Sequence, residues 1–270
     1  MGKFQAVLPD WLGSCVSRHG PMVFPLKDAY VGRSLAEYHE YSEGEVDLFR
    51  QLLRPGDTVV EAGANMGALT VPIARLVGNS GRVLALEPQR SIHGLLTTNL
   101  TLNGLSQVWV ERVALGDRAG EIKVPLVPLD AAANFGGIAL GGETGESCSL
   151  RTLDSFQLKS LRLLKADVEG AECEVIAGAV DTISRLRPVL YVENDRPDRS
   201  AALIKCILDL DYRLWWHMVP LFNPGNFRGN ATDVFPGIGS LNMLCLPRDW
   251  TMTAPEAMEI LTPDTPHPFA

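Results

Sequence analysis

The stretch Thr58-Val-Val-Glu61 followed by Ala62-Gly-Ala-Asn-Met-Gly67 constrains the fold more than any other part of the chain. A short β-branched run reads as a buried strand that ends in an acid. Gly63 lets the backbone turn in a way a side chain forbids, and lets a ligand approach the main chain. Gly67 permits tight packing where a helix, read over 67–77, begins. A buried strand, a glycine turn and a helix in that order are one unit of a mostly parallel sheet. Amides exposed at such a helix start suit an anionic group.

The rest of the chain repeats this alternation. Residues 82–87, 107–111, 161–167, 188–193, 212–217 and 240–246 read as strands, and 121–127 as a further extended segment. Residues 43–53, 90–102, 171–185 and 198–210 carry helical periodicity. The implied fold is α/β and Rossmann-like, a mostly parallel seven-stranded sheet with helices on both faces and its ligand site at the C-terminal strand ends. We expect a single domain over 1–270. Residues 1–55 form an irregular and helical lead-in, 56–250 the core, and 251–270 a tail. Two segments break the rhythm. Residues 130–147 are rich in glycine, with Gly136-Gly137 and Gly141-Gly142 as expected hinges of a flap. Residues 215–239 are aromatic and turn-rich, and are expected to form a lid whose rings suit a hydroxylated acceptor.

Composition limits the partners. The net charge of -8 gives no general attraction for phosphate backbones, so nucleic acid is not an expected partner. The five cysteines, at 15, 148, 173, 206 and 245, include no C-x-x-C pair, which argues against a disulfide framework and a zinc site. The N-terminus lacks a signal-peptide core, and Ala6 breaks the acylation pattern that Gly2 begins. No apolar run is long enough to span a membrane, and the expected location is the cytoplasm. The oligomeric state is open, with the lead-in as a surface on which a second copy could pack.

The second strand ends in Glu87, about 20 residues beyond the glycine turn, where an acid accepts hydrogen bonds from ribose hydroxyls. The turn alone could be a tight connection with a surface acid. It could also serve a nicotinamide, but that fingerprint is G-x-G-x-x-G, and Gly63, Asn65 and Gly67 depart from it.

These motifs, in order, resemble those of FkbM-family methyltransferases. They are Glu61 to Thr70, Leu86-Glu-Pro88, Ala114-Leu-Gly-Asp117, Leu153-Asp154 and Lys165-Ala-Asp-Val-Glu-Gly-Ala-Glu172. The likeness covers about residues 38–246, and the run from Lys165 is its most distinctive part. It implies the class I methyltransferase fold, S-adenosylmethionine as methyl donor, and O-methylation of a hydroxyl on a small molecule or glycan. N-methylation of a peptide or amide, or a silent cofactor-binding partner subunit, are the alternatives. One departure is Glu61, where the family commonly has Asp; the acid is kept. By this resemblance Glu61, Gly63, Asn65, Gly67 and Thr70 line the methionine end, and Glu87 holds the ribose. Ala114 passes the adenine, and Tyr41 and Glu45 close over the methionine part.

Lys165, Asp167 and Glu169 share one parity at the end of a strand expected to be buried, so they need partners or a task. Asp167 is the best placed to face both methyl donor and acceptor. Glu193 ends the adjacent strand, and His217 follows two tryptophans, so Asp167, Glu193 and His217 are the candidate bases. In the plainer reading Glu169 and Glu172 stabilise the next helix, Asp167 caps it and Lys165 is the counter-ion. Asp167, Glu193 and Asn194 could also offer oxygens to a divalent cation; that reading is not favoured, and no metal ligand is assigned.

Overall fold

The computed structural model describes residues 8–251 and 259–269. Residues 1–7, read above for a leader or acylation signal, and residues 252–258 and 270 of the expected tail lie outside the described residues. In chain order the elements are β1 (Leu12–Ser17), β2 (Gly20–Pro25), α1 (Val31–Tyr38), α2 (Glu43–Leu52), β3 (Thr58–Ala62), α3 (Thr70–Val77) and β4 (Arg82–Leu86). There follow α4 (Arg90–Leu102), β5 (Val108–Glu111), β6 (Val113–Leu115), β7 (Gly120–Val124), β8 (Glu146–Arg151) and a short 3-10 turn (Leu153–Phe156). The last are β9 (Leu163–Ala166), α5 (Glu172–Ala177), α6 (Val180–Leu186), β10 (Val189–Glu193), α7 (Pro197–Leu208), β11 (Tyr212–Pro220), β12 (Gly239–Pro247) and β13 (Glu259–Ile260).

The main sheet runs β13-β11-β12-β10-β9-β3-β4-β5. Strands β10, β9, β3, β4 and β5 are mutually parallel, and β12 pairs antiparallel with β10 and β11. From β3 the chain winds outward to β4 and β5, then returns to β9 on the other side. That reversal opens a crevice at the C-terminal ends of β3 and β9. Seven strands were expected; the eighth, β13, is a two-residue edge strand on β11 from the segment read as a tail.

Strand parity sorts the core into two layers. Val59, Val83, Leu163 and Val189 face Val46, Phe49, Ile73 and Val77 of α2 and α3. Val60, Leu84, Leu164 and Leu190 face Val175, Ile183, Ile204 and Ile207 of α5, α6 and α7. Burying each such side chain contributes about 1.5–3 kcal/mol, which offsets the cost of polar groups held above the first layer. Those polar groups continue its parity. Glu61 and Tyr191 sit directly beside Lys165 in register, at the crevice end of the same face.

Several expectations are corrected. The lead-in is not irregular: β1 and β2 form a hairpin closed at Gly20 (φ 127), and α1 follows. Buried Asn99 of α4 fixes the hairpin, accepting from Val23 N and donating to Val23 O and Met66 O. The helix read over 171–185 is two, α5 and α6, joined at Gly178. The extended segment read over 121–127 is present over Gly120–Val124 as β7, in a separate sheet of order β6-β8-β7.

The lid read over 215–239 begins later, because β11 continues to Pro220. Its rings serve packing: Phe222 and Phe235 surround Tyr38 of α1, and Trp215 lies in the core. Buried Glu40 ties the loop down, accepting from Asn223 Nδ2 and Phe227 N. The glycine-rich segment is likewise anchored, since buried Phe135 donates its amide to Asp28 and its carbonyl accepts from Gln89.

Candidate active site

The crevice holds two joined cavities of about 310 and 390 Å³, each within the range of ligand sites. Gly63, Glu87, Gln89, Gly136, Asp167 and Glu169 line both and form the neck between them. The larger lobe carries an apolar strip from Val113, Ala114, Leu115, Ile138 and Leu150. The smaller is strongly acidic, with Glu61, Glu193 and Asp195 besides the neck acids, and Lys165 on the same wall.

The β3 turn builds the neck. Gly63 has φ 80, and its amide and that of Ala64 donate to Leu86 O. A Cβ at Gly63 would collide with the Asp167 carbonyl oxygen, so this glycine is required by the neighbouring loop. Asn65 also takes left-handed backbone, with φ 50. Its amide donates to Glu87 Oε2 at 2.9 Å, and Gln89 N donates to Glu87 Oε1 at 2.8 Å. The amides of Asn65 and Met66 are therefore engaged, Met66 N by Asn65 Oδ1. The open ones lie one step on, at Ala68 and Leu69, which line the acidic lobe and whose amides have no partner among the described residues.

Burial drives the protonation chemistry. Glu87 is pushed up to about 7 by desolvation, against the two amides that favour its charge. Glu61 is also pushed up to about 7 by burial, against Lys165 and the Thr70 hydroxyl, which donates to it at 2.6 Å. Burial alone would lower Lys165, but the carboxylates of Asp167, Glu61 and Glu45 outweigh it and raise the lysine above its usual value. Lys165 Nζ lies 3.0 Å from Asp167 Oδ2. Glu169 is pushed up to about 7, by burial and by Asp167, although Arg196 pairs with it at 2.6 Å. Glu193 lies well above the carboxylate range, through burial and then Asp167, Asp195 and Glu169.

The other sequence candidates fall around this centre. Tyr41 lines the acidic lobe, and burial beside Glu45 raises its phenol well above the usual value. Glu45 is buried just behind, accepting from Ser42 Oγ and Ser240 Oγ. Gly67 and Thr70 lie behind the loop, not on its open wall. Gly67 packs on Leu96, and Thr70 is fully buried on Glu61. Ala114 lines the apolar lobe. His217 is held off the cavity wall, its Nδ1 2.9 Å from Tyr191 Oη, and burial lowers its pKa. Asn194 turns inward to Ser200 and Met243, so Glu169, not Asn194, stands with Asp167 and Glu193. Glu172 turns back on the loop before α5, accepting from Val168 N and Gly170 N. Lys165 serves Asp167 alone of the acids the plainer reading assigned to it; Glu169 turns to Arg196. Gln89, in the neck, had no signal in the sequence; Gly136, read there as a flap hinge, lies in the neck itself, because only the fold brings 136 beside 63 and 87.

A Rossmann-like sheet with a two-lobed crevice at its switch point, a glycine turn on one wall and a buried acid at the neck is the arrangement in which such folds hold nucleotide cofactors. The chain belongs to the family described as the methyltransferase FkbM domain, which matches residues 61–214. Its fold is thus the Rossmann-like class I methyltransferase fold. It is 34% identical over 123 residues to ribosomal RNA large subunit methyltransferase E of Azoarcus sp. (strain BH72), an alignment covering 42% of this chain and 57% of that protein. The chain thus matches little more than half the length of that curated relative. A methyltransferase FkbM from Methylobacillus flagellatus KT is 18% identical with a TM-score of 0.48, over 74% of this chain and 50% of the other. A SAM-dependent O-methyltransferase from Thermotoga maritima is 17% identical with a TM-score of 0.48, over 76% and 64%.

Proposed function

We propose that this protein transfers a methyl group from S-adenosylmethionine to a hydroxyl of a small molecule or glycan. The observation that carries the reading is the shared neck, where Glu87 and Asp167 border both lobes. The apolar lobe suits a purine passing Ala114 and Leu115, and Glu87 suits the ribose diol. The acidic lobe suits a cationic sulfonium and ammonium, and the amides of Ala68 and Leu69 suit the methionine carboxylate. S-adenosylmethionine supplies an electrophilic methyl group when bound.

The protein's part is placement and proton removal. Asp167, fixed by Lys165, accepts the proton of the acceptor hydroxyl. With the donor bound, the acceptor oxygen would displace its methyl group in line, the sulfur keeping the electron pair of the broken bond. Tyr41, Leu221 and Ile238 bound the acidic lobe and keep water from the reacting atoms. Glu193 orients the acceptor from the far side. Free cysteines throughout the described residues suit a cytoplasmic location.

Calorimetry with S-adenosylhomocysteine tests the cofactor, and labelled methyl transfer into fractionated small molecules and glycans tests the acceptor. One ligand per chain and label recovered on oxygen are expected. A folded protein that binds neither form of the cofactor removes the reading, and label recovered on nitrogen replaces the hydroxyl with an amine or amide.

A further inference from the structure

Three carboxylates crowd the acceptor side of the neck. Asp167 follows β9, Glu169 stands two residues on in left-handed backbone with φ 59, and Glu193 ends β10. One oxygen from each lies within 4.8 Å of one from each of the others. Like charges that close repel, so the cluster must hold protons or a cation.

The partners already present leave room for one. Asp167 gives Oδ2 to Lys165, and Glu169 gives Oε2 to Arg196, which fixes both carboxylates and leaves each a second oxygen. Glu193 has no such partner. Its Oε2 is closed off from solvent and accepts no hydrogen bond among the described residues, although the residue as a whole is partly exposed. The cations bound to its neighbours are engaged: Lys165 by Asp167, and Arg196 by Glu169 and Asp195. A buried, unpartnered carboxylate oxygen on a residue that stands with two oriented carboxylates calls for a proton or a ligand of positive charge.

We infer that Asp167, Glu169 and Glu193 bind one hard divalent cation, Mg²⁺ or Mn²⁺, at the acceptor end of the neck. The donors are all oxygens, with no thiol or imidazole among them, which selects against softer metals. Oxygens about 2.1–2.4 Å from one ion are at most roughly 4–5 Å apart, in keeping with the observed spacing. Three protein ligands in an octahedron leave positions for water and for an acceptor oxygen. A hydroxyl bound there would be a stronger acid. Lys165 and Arg196 orient the ligand carboxylates, as hydrogen-bonded partners of ligands generally do. The cation's role rests on the proposed methyl transfer; its binding does not.

The test is titration of Mn²⁺ into the full chain, with the free ion followed by electron paramagnetic resonance, with and without S-adenosylhomocysteine. One Mn²⁺ per chain is expected, displaced by Mg²⁺, and at least 10-fold weaker in Glu193→Gln while that variant still binds S-adenosylhomocysteine. If Glu193→Gln does not fold, Glu169→Gln is read the same way. Cofactor binding without stoichiometric Mn²⁺, or Mn²⁺ affinity unchanged in the folded variant, overturns the site and leaves methyl transfer standing. Stoichiometric Mn²⁺ binding without cofactor binding keeps the site and removes the proposed reaction.

Discussion

Replacing Gly63 by alanine tests the claim that the β3 turn and the Asp167 loop are built against each other. The added Cβ would collide with the Asp167 carbonyl oxygen and lie 3.0 Å from its carbonyl carbon. Neither side has an easy retreat. Gly63 N is bonded to Leu86 O, and Asp167 N to Ala62 O. The backbone at φ 80 adds strain for any residue with a side chain. Strain of about 1–2 kcal/mol and overpacking of about 1–3 kcal/mol together predict a loss of roughly 2–5 kcal/mol. Displacing Asp167 by about 1 Å would also lower turnover on the order of 10²-fold. Gly94 supplies the control: it is exposed in α4, and a Cβ there meets nothing within 4 Å. Gly94→Ala should therefore gain about 0.5–1 kcal/mol, as alanine does in a helix. Urea unfolding of both variants, with S-adenosylhomocysteine calorimetry on each, reads the contrast. A Gly63→Ala protein within about 0.5 kcal/mol of wild type, with full ligand affinity, would refute the reasoning.

Two further outcomes follow from the same centre. Glu61 and Glu87 titrate near 7 in the fold against an ordinary 4.5, so the folded protein holds protons that the unfolded chain has released. Their contribution is complete below about 4.5 and is lost as pH rises through about 7, at roughly 3 kcal/mol for each acid. The ligand-free protein should thus be more stable at pH 5.5 than at pH 8; a flat urea midpoint across that range contradicts this. For proton removal, Asp167→Asn should lower turnover about 10²-fold or more, and His217→Gln, which only loosens Tyr191, less than about 5-fold. The reverse order in labelled methyl transfer would hand the base role to His217.

How far the sequence reaches depends on whether a feature is local. The β3–α3 unit, the acid at Glu87 and the parity of Lys165 with Asp167 were legible because each is set by residues a few places apart. The hairpin at 12–25 was not, since Gly13, Pro21 and Pro25 blur its alternation, and what holds it is Asn99, more than 70 positions away. The aromatic residues of 215–239 carried the right composition for a lid but the wrong address. Their rings turn to Tyr38, which no short-range pattern could indicate.

The acids at 167, 169 and 193 make the same point at the site itself. Their strand-end positions were readable, but their partners were not. Lys165 was read as the counter-ion of the whole run, and Asn194 as a neighbour of the site. In the fold, Arg196 crosses from the start of α7 to take Glu169, while Ser200 and Met243 draw Asn194 inward. Glu193 is thereby left as the acid without a cation beside two acids that have one. That asymmetry distinguishes a ligand-ready cluster from a solvated acidic edge. It arises from the start of α7, which places Arg196 and Ser200 beside the β10 end, so it becomes visible only once the sheet has brought the ends of β9 and β10 to one crevice.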